Sequence, residues 1–182
     1  MSQQNCRSLF MDKETDLPSQ FRQAMSRLVG GVVIICAQTE QGSFTGFTAT
    51  SFVSVSVEPC LTSFNISRQS GFYQLLRHDK RLSVSILNRS QADTATLFAS
   101  GHSAKEDSVH YMKARKSLEY VPPICGANVA LQLSVRDIVP AGDSAIVIAS
   151  VIDIECFQKY EGLCYVNRSF ASTVANPVVV SK

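Results

Sequence analysis

Gly46-Phe-Thr-Ala-Thr-Ser-Phe-Val-Ser-Val-Ser-Val-Glu-Pro59 is the stretch whose reading decides the fold. Five hydroxyl side chains, Thr48, Thr50, Ser51, Ser54 and Ser56, fall within nine residues and are interleaved with apolar ones. Valine and serine alternate with period two from Phe52 to Val57, which predicts a strand that Glu58-Pro59 breaks. Asn65, Ser67, Arg68 and Ser70 follow shortly after. Small hydroxyls, backbone N–H groups and one fork-shaped cation suit a phosphate. The β-branched apolar background suits a flat ring system. Together they predict a phosphorylated aromatic cofactor lying on a β-sheet. The same residue types also describe an ordinary solvent-facing strand, and composition leaves the two readings level.

Working outward, Val32 to Ala37 is a continuous apolar run, expected of a strand buried on both faces or lining a barrel. Thr39 to Ser43 reads as a turn. Further strands are predicted at Phe44–Ala49, Leu61–Ile66, Leu82–Leu87 and about 127–135, 144–154 and 163–166. A helix is predicted from Asp16, its cap, with Pro18 in the first turn and Phe21, Met25, Leu28 and Val29 on one face. Gly30-Gly31 is expected to end it, and its expected role is to plug a barrel end. Ser70–His78 reads as a short helix, with His78 a charge partner for its C-terminal end. Ser90–Ala99 reads as a helix capped by Ser90. Residues 101–116 read as a long polar surface excursion that carries His102 and His110. About seven strands with few, short helices predict a mainly β, antiparallel barrel. Residues 1–16 read as a flexible leader and 17–182 as a single domain.

The chain has 182 residues, 45% hydrophobic and 18% charged, which fits one globular domain. A net charge of +2, from 17 basic and 15 acidic residues, argues against a nucleic-acid partner. No stretch is apolar for long enough to read as a signal peptide or a membrane helix, so the expected compartment is the cytoplasm. The six cysteines, at 6, 36, 60, 125, 156 and 164, show no Cys-x-x-Cys or zinc-finger spacing. They are read as reduced, mostly buried thiols, with Cys36, Cys60, Cys156 and Cys164 in apolar or strand-like surroundings, and no metal is expected. No Walker loop, Gly-x-Ser-x-Gly, Gly-x-Gly-x-x-Gly or His-Glu-x-x-His occurs. An enzyme built on this chain would therefore take its reactivity from an organic cofactor, and no residue is assigned a catalytic role.

The order of several short motifs resembles a known family. Phe21-Arg-x-x-Met25, Gly31-Val, Gly46-x-Thr-Ala-x-Ser51, Ser54-Val-Ser56-x-x-Pro59, Asn65-x-Ser-Arg68, Ser85-Ile-Leu-Asn88, Gln91, Leu97-Phe-Ala99, Gly142-Asp143 and Gly162-Leu163 follow the pattern of the short-chain flavin reductases. These are small NAD(P)H:flavin oxidoreductases that serve two-component monooxygenases. The resemblance spans roughly residues 20 to 170. It implies an antiparallel Greek-key split β-barrel, the FMN-binding split barrel, usually a homodimer. It implies FMN or FAD as cofactor and NADH or NADPH as hydride donor. By the same resemblance, Thr48, Ala49, Thr50 and Ser51 would meet the flavin phosphate. Ser54, Val55 and Ser56 would present main-chain groups to the ring edge. Ser67, Arg68 and Ser70 would complete the phosphate or ribityl contacts, and Phe98 and Ala99 would approach from a helix end or the partner subunit.

Two departures from the family pattern stand out. Relatives commonly carry Gly-Asp-His where this chain has Gly142-Asp143-Ser144, and Pro59-Cys60 replaces a proline pair. Serine cannot become cationic and has a shorter reach than histidine. His102 or His110 is a candidate substitute for the missing group. The implied activity is an NAD(P)H:flavin reductase that supplies reduced flavin to an oxygenase. The first alternative is an FMN-binding flavoprotein of the same fold without efficient reductase activity. The second is a barrel that binds no cofactor.

Overall fold

The computed structural model describes residues 16–100, 120–157 and 161–173. Its elements run α1 (Leu17–Met25), β1 (Gly30–Gly31), β2 (Val33–Gln38), β3 (Phe44–Ala49), β4 (Val53–Val57), β5 (Cys60–Ser67), β6 (Arg81–Ile86), α2 (Ala92–Ala99), β7 (Val129–Ala141), β8 (Ser144–Cys156), β9 (Leu163–Val166) and β10 (Ser169–Ser172). Seven strands form one sheet in the order β3-β2-β6-β7-β8-β5-β4, and β1-β9-β10 form a second. Every pairing is antiparallel.

The large sheet curls around one core. Val33, Ile35, Phe64, Leu82, Val84, Leu133, Val135 and Val147 come from five of its strands and meet in a single buried cluster. The barrel stays split, because β3 and β4 are the two sheet edges and do not pair. They are consecutive in the chain, so residues 50–52 bridge the split.

Strand β2 explains why its sequence is apolar throughout. Val33, Ile35 and Ala37 face the barrel core, while Val32, Ile34 and Cys36 belong to a second cluster with Ala95 and Phe98 of α2 and Leu163 of β9. The small sheet is tied on by a ring of backbone bonds: Val32 N–H to Leu163 (3.0 Å), Leu163 N–H to Leu87 (3.1 Å) and Leu87 N–H to Val32 (3.1 Å). The segment before β7 is strapped on by buried polar groups. Ser85 Oγ accepts from Ile124 N–H at 2.9 Å, and Gln132 Nε2 donates to Val121 O at 3.0 Å.

Several expectations need correction. Helix α1 starts where predicted, with Asp16 accepting from Ser19 N–H at 3.1 Å, and hydrogen bonding from the Ser19 side chain, then from its backbone, holds the Asp16 carboxyl below its ordinary range. It buries no residue, however, so it plugs no barrel end. It ends at Met25, and Gly30-Gly31 instead pairs with β9. Ser70–His78 holds only a 3-10 turn at Tyr73–Leu75, and His78 pairs with Asp79 at 2.9 Å. Asn88, not Ser90, caps the turn that leads into α2, in a capping box with Gln91. Strand β10 is absent from the sequence reading. Cys36 and Cys164 are buried, but Cys60 and Cys156 are exposed. The expected polar excursion at 101–116 with His102 and His110, and residues 1–15 of the expected leader, lie outside the described residues. No helix among the described residues is long and apolar enough to cross a membrane.

Candidate functional site

The hydroxyl-rich stretch maps onto the split. Thr48 and Ala49 end β3, Thr50 and Ser51 lie in the bridge, and Ser54–Ser56 lie on β4. Glycine makes this placement possible. A Cβ on Gly30 would sit 2.9 Å from Thr50 Cβ and 3.0 Å from Thr50 O, so only glycine lets β1 approach the bridge this closely.

Strand β4 is not the plain alternating strand its sequence suggests. Ser54 pairs with Thr62 and Ser56 with Leu61, which leaves Val55 in a bulge with no register partner on β5. The bulge lies on a sheet edge, so main-chain groups at Ser54–Ser56 face away from the ladder. Val53 and Val55 are exposed on that edge.

The bridge and β5 bring the polar residues together. Asn65 N–H donates to Ser51 Oγ at 3.0 Å, and the return contact from Ser51 Oγ to Asn65 O is long, at 3.5 Å. Ser67 Oγ accepts from Gln69 N–H at 3.3 Å, and Ser70 Oγ accepts from Tyr73 N–H at 3.1 Å. A hydroxyl that accepts a backbone N–H keeps its own proton for another acceptor. Ser67 and Ser70 therefore suit an anion as they stand, and Ser51 does so by giving up its long contact to Asn65 O.

Arg68 sits beside them, tied to the β7–β8 hairpin. Its N–H donates to Asp143 O at 3.0 Å and its guanidinium to Gly142 O at 3.3 Å. Among the described residues no carboxylate forms an ion pair with it. Its remaining donors and full charge fit a phosphate. Ser67 pairs with Ser144, whose Oγ donates to Asp143 Oδ1 at 3.0 Å. The departure at Ser144 thus lies next to Arg68.

Other expected residues sit differently. Thr48 Oγ1 donates to Ala95 O at 2.6 Å, so it offers a ligand only lone pairs. The Ala49 side chain is buried in the barrel core, leaving its backbone alone for contact. Phe98 is 8% exposed and packs in the second core, over Gly46, where a Cβ would stand 3.0 Å from its ring. Ala99 is exposed at the end of α2.

A pocket of about 390 Å³ opens beside the bridge, lined by Thr48, Thr50, Thr96, Ala99, Tyr165 and Phe170. Thr96, Tyr165 and Phe170 had no place in the sequence reading. The two aromatics come together because β9 and β10 form a hairpin in which Tyr165 and Phe170 are directly opposed. Asn167 and Arg168 make its two-residue turn with φ of 48° and 60°.

The family profile of the flavin reductase like domain matches residues 25–173. The chain belongs to that family. Among its relatives is the actinorhodin polyketide dimerase of Streptomyces coelicolor, 30% identical over 151 residues that span 83% of this chain and 84% of the relative. The NADH:FMN oxidoreductase of Rhodococcus erythropolis is 32% identical over 146 residues, spanning 78% of this chain and 72% of that one. The solved structure of the flavin reductase PheA2 superimposes with a TM-score of 0.76 at 25% identity, covering 88% of this chain and 99% of that one. The mainly β split barrel is therefore the family's fold, and the expected family is the one found.

Proposed function

We propose that this flavin reductase-like chain is an NADH-dependent flavin oxidoreductase whose reduced flavin serves a separate oxygenase. The observation that carries the reading is the convergence at the split. Ser51 is bonded to Asn65 of β5, and Ser67, Arg68 and Ser70 follow at that strand's end, where the guanidinium has no carboxylate partner among the described residues. Relatives named NADH:FMN oxidoreductase and monooxygenase reductase component support the choice of donor and of partner class.

A bound flavin would supply the redox chemistry of hydride acceptance from a nicotinamide. The chain's residues do the rest. Ser51, Ser67, Ser70 and Arg68 would hold the ribityl phosphate, with Thr50 and the backbone of Ala49 beside it. The bulged edge at Ser54, Val55 and Ser56 would orient the ring through main-chain groups, and its open side leaves room for the nicotinamide. The short list of charged contacts suits a cofactor that must also leave.

Ser144 favours a second reading. Its hydroxyl is already bonded to Asp143 and cannot carry charge, so a chain that holds FMN but turns over NADH slowly is the alternative. Steady-state NADH oxidation with FMN, FAD or riboflavin decides between them. Turnover with added flavin is the expected result. Tight FMN binding without NADH oxidation would establish the alternative, and no flavin uptake would overturn both.

The reading includes a homodimer in the cytoplasm, where thiols stay reduced. Its support is apolar surface left in the open. Phe21 and Met25 on α1, Val57 on β4, and Ile146, Ile152 and Ile154 on the outer face of β8 are all exposed. Such a face suits a second copy.

A further inference from the structure

We infer that the pocket between the end of α2 and the β9–β10 hairpin takes the adenosine half of FAD, which makes this chain prefer FAD over FMN. The inference rests on the flavin reading above and adds a subsite to it.

The chemistry of the lining argues against a second phosphate there. Thr48 Oγ1 donates to Ala95 O at 2.6 Å and Thr96 Oγ1 donates to Ala92 O at 2.9 Å. Both hydroxyls therefore turn lone pairs, not protons, toward the cavity. Ala99 is the last residue of α2, so the negative end of that helix borders the pocket. Among the described residues, no charged one lines it. An anion would meet acceptors and partial negative charge. A ligand carrying N–H or O–H donors would be welcomed.

The remaining walls are aromatic. The Tyr165 and Phe170 rings lie 5.2 Å apart at 66°, and both are only partly buried. An edge-to-face pair of this kind offers a platform for a flat heterocycle. Adenine is flat and carries an amino group, and its ribose carries hydroxyl donors. About 390 Å³ lies within the range of small-ligand sites.

Position completes the case. Thr50 lines this pocket, and the next residue, Ser51, belongs to the phosphate cluster. Gly30 makes the junction, since it pairs with Tyr165 and also takes Thr50 in close approach. A dinucleotide can thus lie with its ring at Ser54–Ser56, its phosphates across Ser51 and Thr50, and its adenosine against Tyr165 and Phe170.

The test compares FMN and FAD binding to the cofactor-free protein by flavin fluorescence titration. The wild-type chain should bind FAD about tenfold or more tighter than FMN, the size of one base stacked on aromatic side chains. Tyr165→Leu and Phe170→Leu should each bring the FAD affinity toward that for FMN, while FMN affinity holds and so reports an intact fold. Thr96→Val, on an exposed position, should weaken FAD alone by a few-fold. Equal wild-type affinities, or variants that weaken FMN and FAD alike, would overturn the subsite while leaving the flavin reading in place. Loss of both flavins from the wild type would sink both.

Discussion

Helices α1 and α2 make an instructive pair. Helix α1 spans nine residues and α2 eight, and each presents apolar side chains. Yet α2 buries Ala95 completely and Phe98 to 8% exposure, whereas α1 leaves Phe21 62% and Met25 47% exposed. The difference lies in what each helix finds opposite. Helix α2 meets Gly46 on β3, where the absence of a side chain makes room for the Phe98 ring beside Cys36. Helix α1 meets no comparable seat among the described residues. An apolar stripe thus states that a surface needs cover, not which surface covers it.

The largest effect expected from this contrast is at Phe98. Phe98→Ala should lower unfolding free energy by about 3–5 kcal/mol, the usual result of removing a buried aromatic ring. Chemical denaturation measures it. A loss below about 1 kcal/mol would mean that α2 is not seated as described.

Cys36 sharpens the same point through its thiol, because it lies under α2. Burial pushes its pKa up to about 12. The folded state therefore holds the proton more tightly than the unfolded chain, where a thiol titrates near about 8.5. The sign follows: the stability linked to Cys36 is fully present below the unfolded value and falls as pH rises from there toward 12. A thiol reagent at mildly alkaline pH should modify exposed Cys60, Cys125 and Cys156 first and reach Cys36 only with unfolding. Equal labelling of Cys36 and Cys60 would show that α2 opens freely.

The smallest change in monomer stability is expected at the other helix. Phe21→Ser should alter unfolding of the monomer by about 0.5 kcal/mol or less, since the ring is already in water. It should nonetheless weaken the proposed dimer, read as a fall in solution mass at dilute concentration. A large loss of monomer stability would place Phe21 in a core and break the contrast with α2.

Much of this architecture was legible in the residues, for identifiable reasons. The unbroken apolar run of β2 marks a strand covered on both sides, and it is covered by the barrel core and by α2. The serines and Arg68 stand out in the sequence because small hydroxyls and one arginine recur between residues 51 and 70. What escaped was set by pairing at a distance. The bulge at Val55 depends on how β4 meets β5, not on the Val–Ser alternation. The helix expected over Ser70–His78 fails because the chain is held elsewhere: Phe72 is drawn into the barrel core, and Asp79 N–H bonds to Val135 O at 2.8 Å. The Asn88 cap with Gln91 three residues on was a visible signal that the nearby Ser90 obscured. Tyr165 and Phe170 stand 5 residues apart, and only the β9–β10 hairpin brings their rings together.

The central claim is that the serines and Arg68 at the split hold a flavin by its phosphate. Comparing FMN with riboflavin tests it most directly, since the two differ in that group alone. The account predicts that the wild-type chain binds FMN at least about tenfold more tightly, as charge-assisted hydrogen bonds allow, and that Arg68→Gln removes most of that advantage. Equal affinity for FMN and riboflavin in the wild-type chain would contradict it.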